Sequence, residues 1–174
     1  PERDFRSGAA ELLKTFILED REAYEDAVDL LSAGRREPDA YAALIEKAAR
    51  IKARIVGKDE KESGLRRVLN LGHTYGHAIE WYQHVHGDEA PLTHGEAVAV
   101  GMVKAAELSE ERGYAAPGLA SKLRDDFRRC GLPVDFPCPE QDLEEAVSKD
   151  KKAEGGRIQF VFIEKIGKVR IHKL

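Results

Sequence analysis

The fold of this chain is decided by the stretch THGEAVAVGMV, residues 93–103. Thr93 and Glu96 have the spacing of a capping box, in which two side chains bond the free N–H groups at the start of a helix. After Glu96, apolar residues occur on every side of the predicted helix, and a helix that is apolar all round is buried. Gly113 predicts its end. We therefore expect a helix over 94–112 in the middle of the protein.

Helical patterns also cover most of the chain on either side of this central helix. Ser7 is available as the N-cap of the first helix, and Pro38 stands where a first helical turn tolerates proline. Helices are predicted over residues 8–18, 20–32, 38–56, 63–82, 117–130 and 139–149. Only the tail alternates apolar and polar residues, over 157–163 and 168–172, which predicts a β-hairpin. The expected fold class is mainly α: a helical bundle-like domain with a small C-terminal β-hairpin.

The bulk composition restricts the class of protein more than its activity. The chain has 174 residues, 42% of them hydrophobic, and this length suits one domain with a core. Its net charge of -4 mixes both signs without a basic stripe, so nucleic acid is not an expected partner. No apolar run approaches the ~20 residues of a membrane span, and no secretion signal opens the chain, so we expect a cytoplasmic protein. The opening Pro1-Glu2-Arg3 suggests a piece cut from something longer.

A polar stripe of unusual composition runs along the predicted helix 63–82. At about 100° per residue, its members share one face: Glu62, Arg66, Asn70, His73, His77 and Glu80. An ordinary solvated face carries Lys, Glu and Gln rather than imidazoles, an amide and a guanidinium. Gly72 and Gly76 lie between these residues in the sequence, and each costs a helix about 1 kcal/mol relative to alanine. We interpret the stripe as functional and expect something to approach the helix backbone closely; the alternative is a plain polar surface.

The histidines of this stripe indicate a metal site. His73 and His77 lie one helical turn apart and can share a ligand or a metal. Thr74 stands where an H-E-x-x-H zinc protease has its glutamate, so that class is excluded. His94 begins the next buried helix. Because a catalytic zinc takes three N or O protein ligands and one open position, two of these histidines and one carboxylate would suffice.

Three charged groups stand in unusual surroundings. Glu11 lies among small and apolar neighbours and is the best carboxylate candidate, since a buried carboxylate needs a cation nearby; the alternative is a surface pair with Lys14. Lys52 falls in the middle of the apolar side predicted for helix 38–56, where it either extends to water or binds an anion. That side is made of Ile45, Ala49, Ile55 and Val56. The run Asp150-Lys151-Lys152 is either a solvated turn or an anion contact.

Two segments of the sequence resemble the signature of a known family. The segments LNLGHTYGHAIE, residues 69–80, and HGEAVAVGM, residues 94–102, closely resemble the signature of 3-dehydroquinate synthase. The segments 7–14, 59–66 and 150–152 with the hairpin also fit, in the same order. The resemblance implies that residues 1–174 form the C-terminal helical metal- and substrate-binding domain, and that the N-terminal NAD-binding domain is absent from this chain.

The resemblance also implies a reaction. Family members convert 3-deoxy-D-arabino-heptulosonate 7-phosphate to 3-dehydroquinate and phosphate, a carbon–oxygen lyase step of the shikimate pathway to chorismate and the aromatic amino acids. They use NAD catalytically together with Zn²⁺ or Co²⁺, and the family suggests homodimers. Because NAD binds the N-terminal domain, we expect this fragment alone to be inactive.

The family motifs assign roles to particular residues. The implied metal ligands are Glu11, His73 and His94, which leaves His77 for proton transfer or phosphate contact. The implied catalytic residues are His77, Glu62 and Lys14. The implied substrate contacts are Lys14, Lys52, Arg66, Asn70, His77 and one of Lys151 and Lys152.

Other functions share parts of this pattern. Related sugar-phosphate cyclases, of the 2-deoxy-scyllo-inosose or 2-epi-5-epi-valiolone synthase type, have the same scaffold and a Glu/His/His zinc site. Asn70, His77 and the Lys151-Lys152 pair favour dehydroquinate synthase over these. A zinc-dependent, glycerol dehydrogenase-like oxidoreductase would instead accumulate NADH. A non-catalytic helical module would hold a closed, four-coordinate structural zinc.

Overall fold

The computed structural model describes residues 2–59, 64–153, 155–156 and 158–174, with the backbone alone for 150–153. The elements along the chain are α1 (Glu2–Glu19), α2 (Arg21–Ser32), α3 (Pro38–Lys58), a 3-10 helix (Leu65–Asn70), α4 (His73–His86), α5 (His94–Glu111), α6 (Leu119–Arg129), α7 (Glu140–Ala153), β1 (Gln159–Lys165) and β2 (Lys168–Lys173). The predicted mainly α fold with a C-terminal hairpin is confirmed. None of the described helices combines the length and apolar character that a membrane crossing requires.

Helix α5 is the centre of the fold, as its sequence predicts. Twelve of its eighteen residues are buried, and α1, α4, α6 and β1 pack around it. The predicted capping box is present: the Glu96 N–H donates to the Thr93 hydroxyl at 3.3 Å, and the Thr93 N–H donates to the Glu96 carboxylate at 2.8 Å. The helix ends before Gly113, whose φ of 72° takes the chain out of the helical region.

Glycines allow α1 and α4 to touch the backbone of α5. A Cβ on Gly101 would lie 2.9 Å from the Gly72 carbonyl carbon and closer still to its oxygen. A Cβ on Gly95 would lie 2.6 Å from the Cα atom of Ser7 on α1. The close approach predicted for Gly72 and Gly76 is therefore made by α5: Val98 is the nearest neighbour of both positions.

The prediction of one continuous helix over 63–82 is wrong. The 3-10 helix ends at Asn70, and α4 begins only at His73. Between them Leu71 is buried in the core, and Gly72 adopts a φ of 78°, which only glycine adopts at no steric cost. This turn brings Gly72 against Val98 and Met102 of α5, so packing against the central helix overrides the local helical pattern.

The first helix is longer than predicted, and Ser7 is not its N-cap. Helix α1 begins at Glu2, five residues before Ser7. The Ser7 hydroxyl instead accepts a hydrogen bond from the Gly95 N–H at 3.1 Å, one of the unpaired donors in the first turn of α5. Asp20 caps α2, where its carboxylate accepts from the Ala23 N–H at 2.9 Å. Asp20 thus caps its own helix, whereas Ser7 bonds the start of the neighbouring helix α5.

The hairpin closes the other side of the core. Strands β1 and β2 pair antiparallel, with Phe162 opposite Arg170. Ser109 of α5 accepts from the Ile163 N–H at 2.9 Å, and the turn residue Gly167 donates to the Ile17 carbonyl of α1 at 2.8 Å. The hairpin is therefore tied by hydrogen bonds to both α5 and α1.

We expect Thr93→Ala to destabilise the protein by about 1 kcal/mol, because it removes the hydroxyl that satisfies a first-turn donor of the central helix. Urea unfolding followed by circular dichroism measures this loss. Thr93→Ser keeps the acceptor and should retain most of the stability. Equal midpoints for the alanine variant and the wild type would show that the cap contributes nothing.

Candidate metal centre and substrate pocket

Three side chains from three helices meet at one point. Glu11 lies in the middle of α1, His73 is the first residue of α4, and His94 is the first residue of α5. One potential ligand atom from each lies within 4.8 Å of the other two. We call these three residues the donor group. Within the described part of the chain, no other His, Cys, Asp and Glu side chains cluster in this way.

The donor group is held by the same contacts that pack the helices. The Gly95–Ser7 contact brings the start of α5, and with it His94, against α1. The Gly72–α5 contact does the same for the start of α4, and with it His73. Arg3 of α1 adds an ion pair at 3.3 Å to the capping residue Glu96. Backbone packing therefore determines where the donors lie.

Lys14 forms a buried ion pair with Glu11 of the donor group. Its ammonium lies 2.8 Å from Glu11 Oε2 with only 5% of the side chain exposed, so this is not the surface pair of the alternative interpretation. Burial by itself would raise the pKa of Glu11, but the charge of Lys14 and its hydrogen bond hold that pKa below its ordinary value. Burial lowers the pKa of Lys14 more than Glu11 raises it.

His73 is poised to bind as a neutral ligand. Burial, and then the charge of Lys14, lower its pKa below the ordinary value for histidine. The imidazole is thus neutral at neutral pH, the form in which histidine binds metals. Its Nδ1 lies 3.2 Å from the Leu71 carbonyl oxygen, so Nδ1 carries the proton and Nε2 keeps the free lone pair.

A cation fits this group for a reason visible in the structure. Glu11 Oε1 is buried and has no hydrogen-bond partner among the described residues. Such an oxygen is costly to leave unsatisfied, whereas a metal ligand is satisfied by its ion. One carboxylate and two imidazoles are also the ligand types of catalytic zinc sites, which keep a further position open.

His77 lies beside the donor group and is not a member of it. It is exposed, and its ring centroid lies 5.4 Å from that of His73 and 6.2 Å from that of His94. The H-x-x-x-H spacing alone would have paired His73 with His77. The structure groups His73 with His94 instead and leaves His77 at the edge.

Lys52 reaches the centre from α3. Its ammonium lies 3.8 Å from Glu11 Oε2, and its side chain is 44% exposed. The predicted apolar side of this helix is partly wrong, because Ile45 and Val56 are 59% and 39% exposed. The residues that α3 buries are Ala48, Ile51 and Ile55. Lys52 therefore borders the core, with its charge directed to Glu11.

Arg66 and Asn70 line a separate polar cavity of about 550 Å³ on the 3-10 helix. Both are exposed, and the Arg66 N–H donates to the Asp59 carboxylate at 2.8 Å. The sequence predicted that Arg66 and Asn70 share one helical face with His73. This prediction is wrong, because the helix is broken at Gly72. Glu62 lies outside the described residues, as do the side chains of Lys151 and Lys152.

One residue near the centre was given no role from the sequence. Glu80 Oε1 accepts a hydrogen bond from His94 Nδ1 at 2.9 Å. The sequence places Glu80 in the polar stripe with His73. Its role could not be predicted from the stripe, because its partner His94 lies on the following helix.

Known proteins resemble the chain over its whole length. The family model described as 3-dehydroquinate synthase C-terminal matches residues 8–153. The 3-dehydroquinate synthase of Acidithiobacillus ferrooxidans is 42% identical over 171 residues, which are 96% of this chain and 45% of that protein. That of Thermodesulfovibrio yellowstonii is 38% identical, over 99% of this chain and 48% of that protein. The chain thus spans about half the length of these relatives.

Solved structures share the fold. The 2-epi-5-epi-valiolone synthase ValA of Streptomyces hygroscopicus, with NAD⁺ and Zn²⁺ bound, matches with a TM-score of 0.84 and 24% identity over 99% of this chain and 48% of that chain. A 2-deoxy-scyllo-inosose synthase in complex with carbaglucose-6-phosphate, NAD⁺ and Co²⁺ matches with a TM-score of 0.80 and 23% identity, over 100% of this chain and 50% of that chain. At these identities the likeness concerns the fold.

Proposed function

Because this chain belongs to the 3-dehydroquinate synthase C-terminal family, we propose that it is the metal- and substrate-binding half of a 3-dehydroquinate synthase. The observation that carries the proposal is the donor group, in which Glu11 has a buried Oε1 without a hydrogen-bond partner among the described residues. The enzyme converts 3-deoxy-D-arabino-heptulosonate 7-phosphate to 3-dehydroquinate and phosphate, in the cytoplasmic shikimate pathway that leads to chorismate.

The length of the relatives supports a division of the site between two domains. The relatives are about twice as long as this chain, and the matching family model is described as C-terminal. An N-terminal domain holds NAD and joins this one in a homodimeric enzyme. The fragment alone is inactive, because the residues of the NAD site belong to the other half.

Glu11, His73 and His94 would hold the metal, Zn²⁺ or Co²⁺. Bound there, the Lewis-acid cation would polarise the substrate hydroxyl that is oxidised. Lys14 keeps Glu11 ionised and adds a second positive charge beside the hydroxyl. The low pKa of His73 keeps its imidazole available as a ligand.

The remaining site residues bind the two anionic ends of the substrate. Arg66 matches a carboxylate with two parallel hydrogen bonds, and Lys52 adds a point charge from α3. Asn70, His77 and one of Lys151 and Lys152 surround the phosphate. His77, which is exposed, serves in proton transfer, and Glu62 and Lys14 assist it.

Sequence identity favours this activity over that of the related cyclases. The dehydroquinate synthases named above are 38% and 42% identical, compared with 24% and 23% for the valiolone and inosose synthases. The two latter enzymes share the fold, so their substrates form the comparison arms of any activity test.

A chimaera tests the proposal. The N-terminal half of the Acidithiobacillus ferrooxidans enzyme, joined before Pro1, should form 3-dehydroquinate and phosphate when NAD, Zn²⁺ and the heptulosonate phosphate are supplied. The 174-residue chain alone should form neither. A folded, zinc-loaded chimaera that converts only the substrates of the inosose or valiolone synthases would contradict the proposed substrate, and turnover by the chain alone would contradict the proposed division of the site.

A further inference from the structure

Glu80 and His94 form a contact that links α4 to α5 next to the donor group. Glu80 Oε1 lies 2.9 Å from His94 Nδ1, with the two side chains 34% and 47% exposed. Glu80 lies two helical turns beyond His73 on α4. Helix α4 thus carries the donor His73 and also Glu80, which contacts the donor His94 on α5.

The contact determines which ring nitrogen of His94 is free. A carboxylate is only an acceptor, so Nδ1 must carry a proton, and the lone pair of a neutral ring is then on Nε2. The His94 ring centroid lies 5.1 Å from that of His73, whose Nδ1 is similarly occupied by the Leu71 carbonyl oxygen. Both rings therefore present Nε2 as the ligand atom. A backbone carbonyl holds Nδ1 of His73, and a side-chain carboxylate holds Nδ1 of His94.

The backbone of His94 is fixed by other means, so the side chain is what Glu80 controls. Thr93 and Glu96 hold the first turn of α5 through the capping box, and Ser7 contacts Gly95. None of these contacts restricts rotation of the half-exposed imidazole about its own bonds. The Glu80 carboxylate does so, because it holds Nδ1 of the ring at 2.9 Å.

We propose that Glu80 is a positioning residue for the metal: it selects the Nδ1-protonated form of His94 and directs Nε2 to Glu11 and His73. The proposal rests on the metal centre proposed above. The competing interpretation is a surface ion pair, which contributes little to stability and nothing to metal binding.

Zinc affinity separates the two interpretations. The 174-residue chain is titrated with Zn²⁺ in competition with a chromogenic chelator. Glu80→Ala should bind Zn²⁺ about 10–100-fold more weakly than the wild type, the usual effect of losing the carboxylate behind a metal-bound histidine. Glu80→Gln keeps an acceptor for Nδ1 and should lose less. Glu89→Gln removes an equal charge from the exposed loop between α4 and α5 and should bind as the wild type does.

Two further measurements show whether Glu80 acts through His94. The visible absorption of bound Co²⁺ should shift in Glu80→Ala, since the ligand geometry changes. In a His94→Ala background, Glu80→Ala should cause no further loss of Zn²⁺ affinity. An unchanged affinity in the single variant, or the same loss in both backgrounds, would overturn the proposal while the metal centre stands. A wild-type chain that binds Zn²⁺ no better than Glu11→Ala would overturn both.

Discussion

Replacing Gly101 with alanine is expected to destabilise the fold by about 3 kcal/mol, at the upper end of overpacking effects. The new methyl group would meet the backbone of Gly72 and, at 3.1 Å, the Gly76 nitrogen. A side chain can rotate away from such a clash, but backbone cannot, so α4 has to move from α5. For a chain of this size the midpoint of thermal unfolding should fall by roughly 6–12 °C.

Gly57→Ala is the matched control. Gly57 also lies within a helix, but a Cβ there would meet nothing within 4 Å. Alanine should therefore stabilise the protein by about 0.5–1 kcal/mol, because it restricts the unfolded chain and favours the helix. If Gly101→Ala unfolded at the wild-type temperature, the α4–α5 contact would not be as close as the structure has it.

Replacing His73 with alanine is expected to weaken Zn²⁺ binding by more than about 100-fold, because loss of a ligand should exceed the 10–100-fold effect of losing an outer contact. His77→Ala is the control, since it removes an imidazole from the same helix one turn along. His77 lies outside the donor group and should leave Zn²⁺ affinity nearly unchanged. Isothermal titration of both variants and the wild type measures the difference.

The two variants also distinguish binding from turnover. In the chimaera described above, His77→Ala should bind Zn²⁺ normally and yet lose activity, whereas His73→Ala should lose both. Equal losses of Zn²⁺ affinity in the two variants would assign His77 to the metal and contradict the donor group.

The parts of the fold that the sequence predicts are those with a strong local pattern. The capping box at Thr93 and the apolar run after it predict α5 within a residue, and alternation predicts the hairpin. The break at Leu71 and Gly72 could not be predicted, because the helical pattern continues through it. The packing of this turn against α5, which is remote in the chain, makes the turn favourable.

The candidate site divides in the same way. Residue types indicated a site made of histidines and a carboxylate, but spacing alone would have joined His73 to His77. The grouping of Glu11, His73 and His94 came from the family resemblance, and the structure brings these three together. It depends on how α1 and α4 pack on α5, which no local pattern encodes. The contacts of Ser7 and Glu80 are equally tertiary and were not predicted.

The backbone contacts at Gly72 and Gly95 affect how a metal ion would bind and dissociate. The anchors of all three donors are fixed by helix packing before any ion arrives, so capture requires little ordering of the chain. In zinc fingers, by contrast, removing the ion unfolds the domain. Here a chelator should strip the ion and leave a folded apoprotein that can be reloaded, so exchange would be limited by ion dehydration and access rather than by refolding.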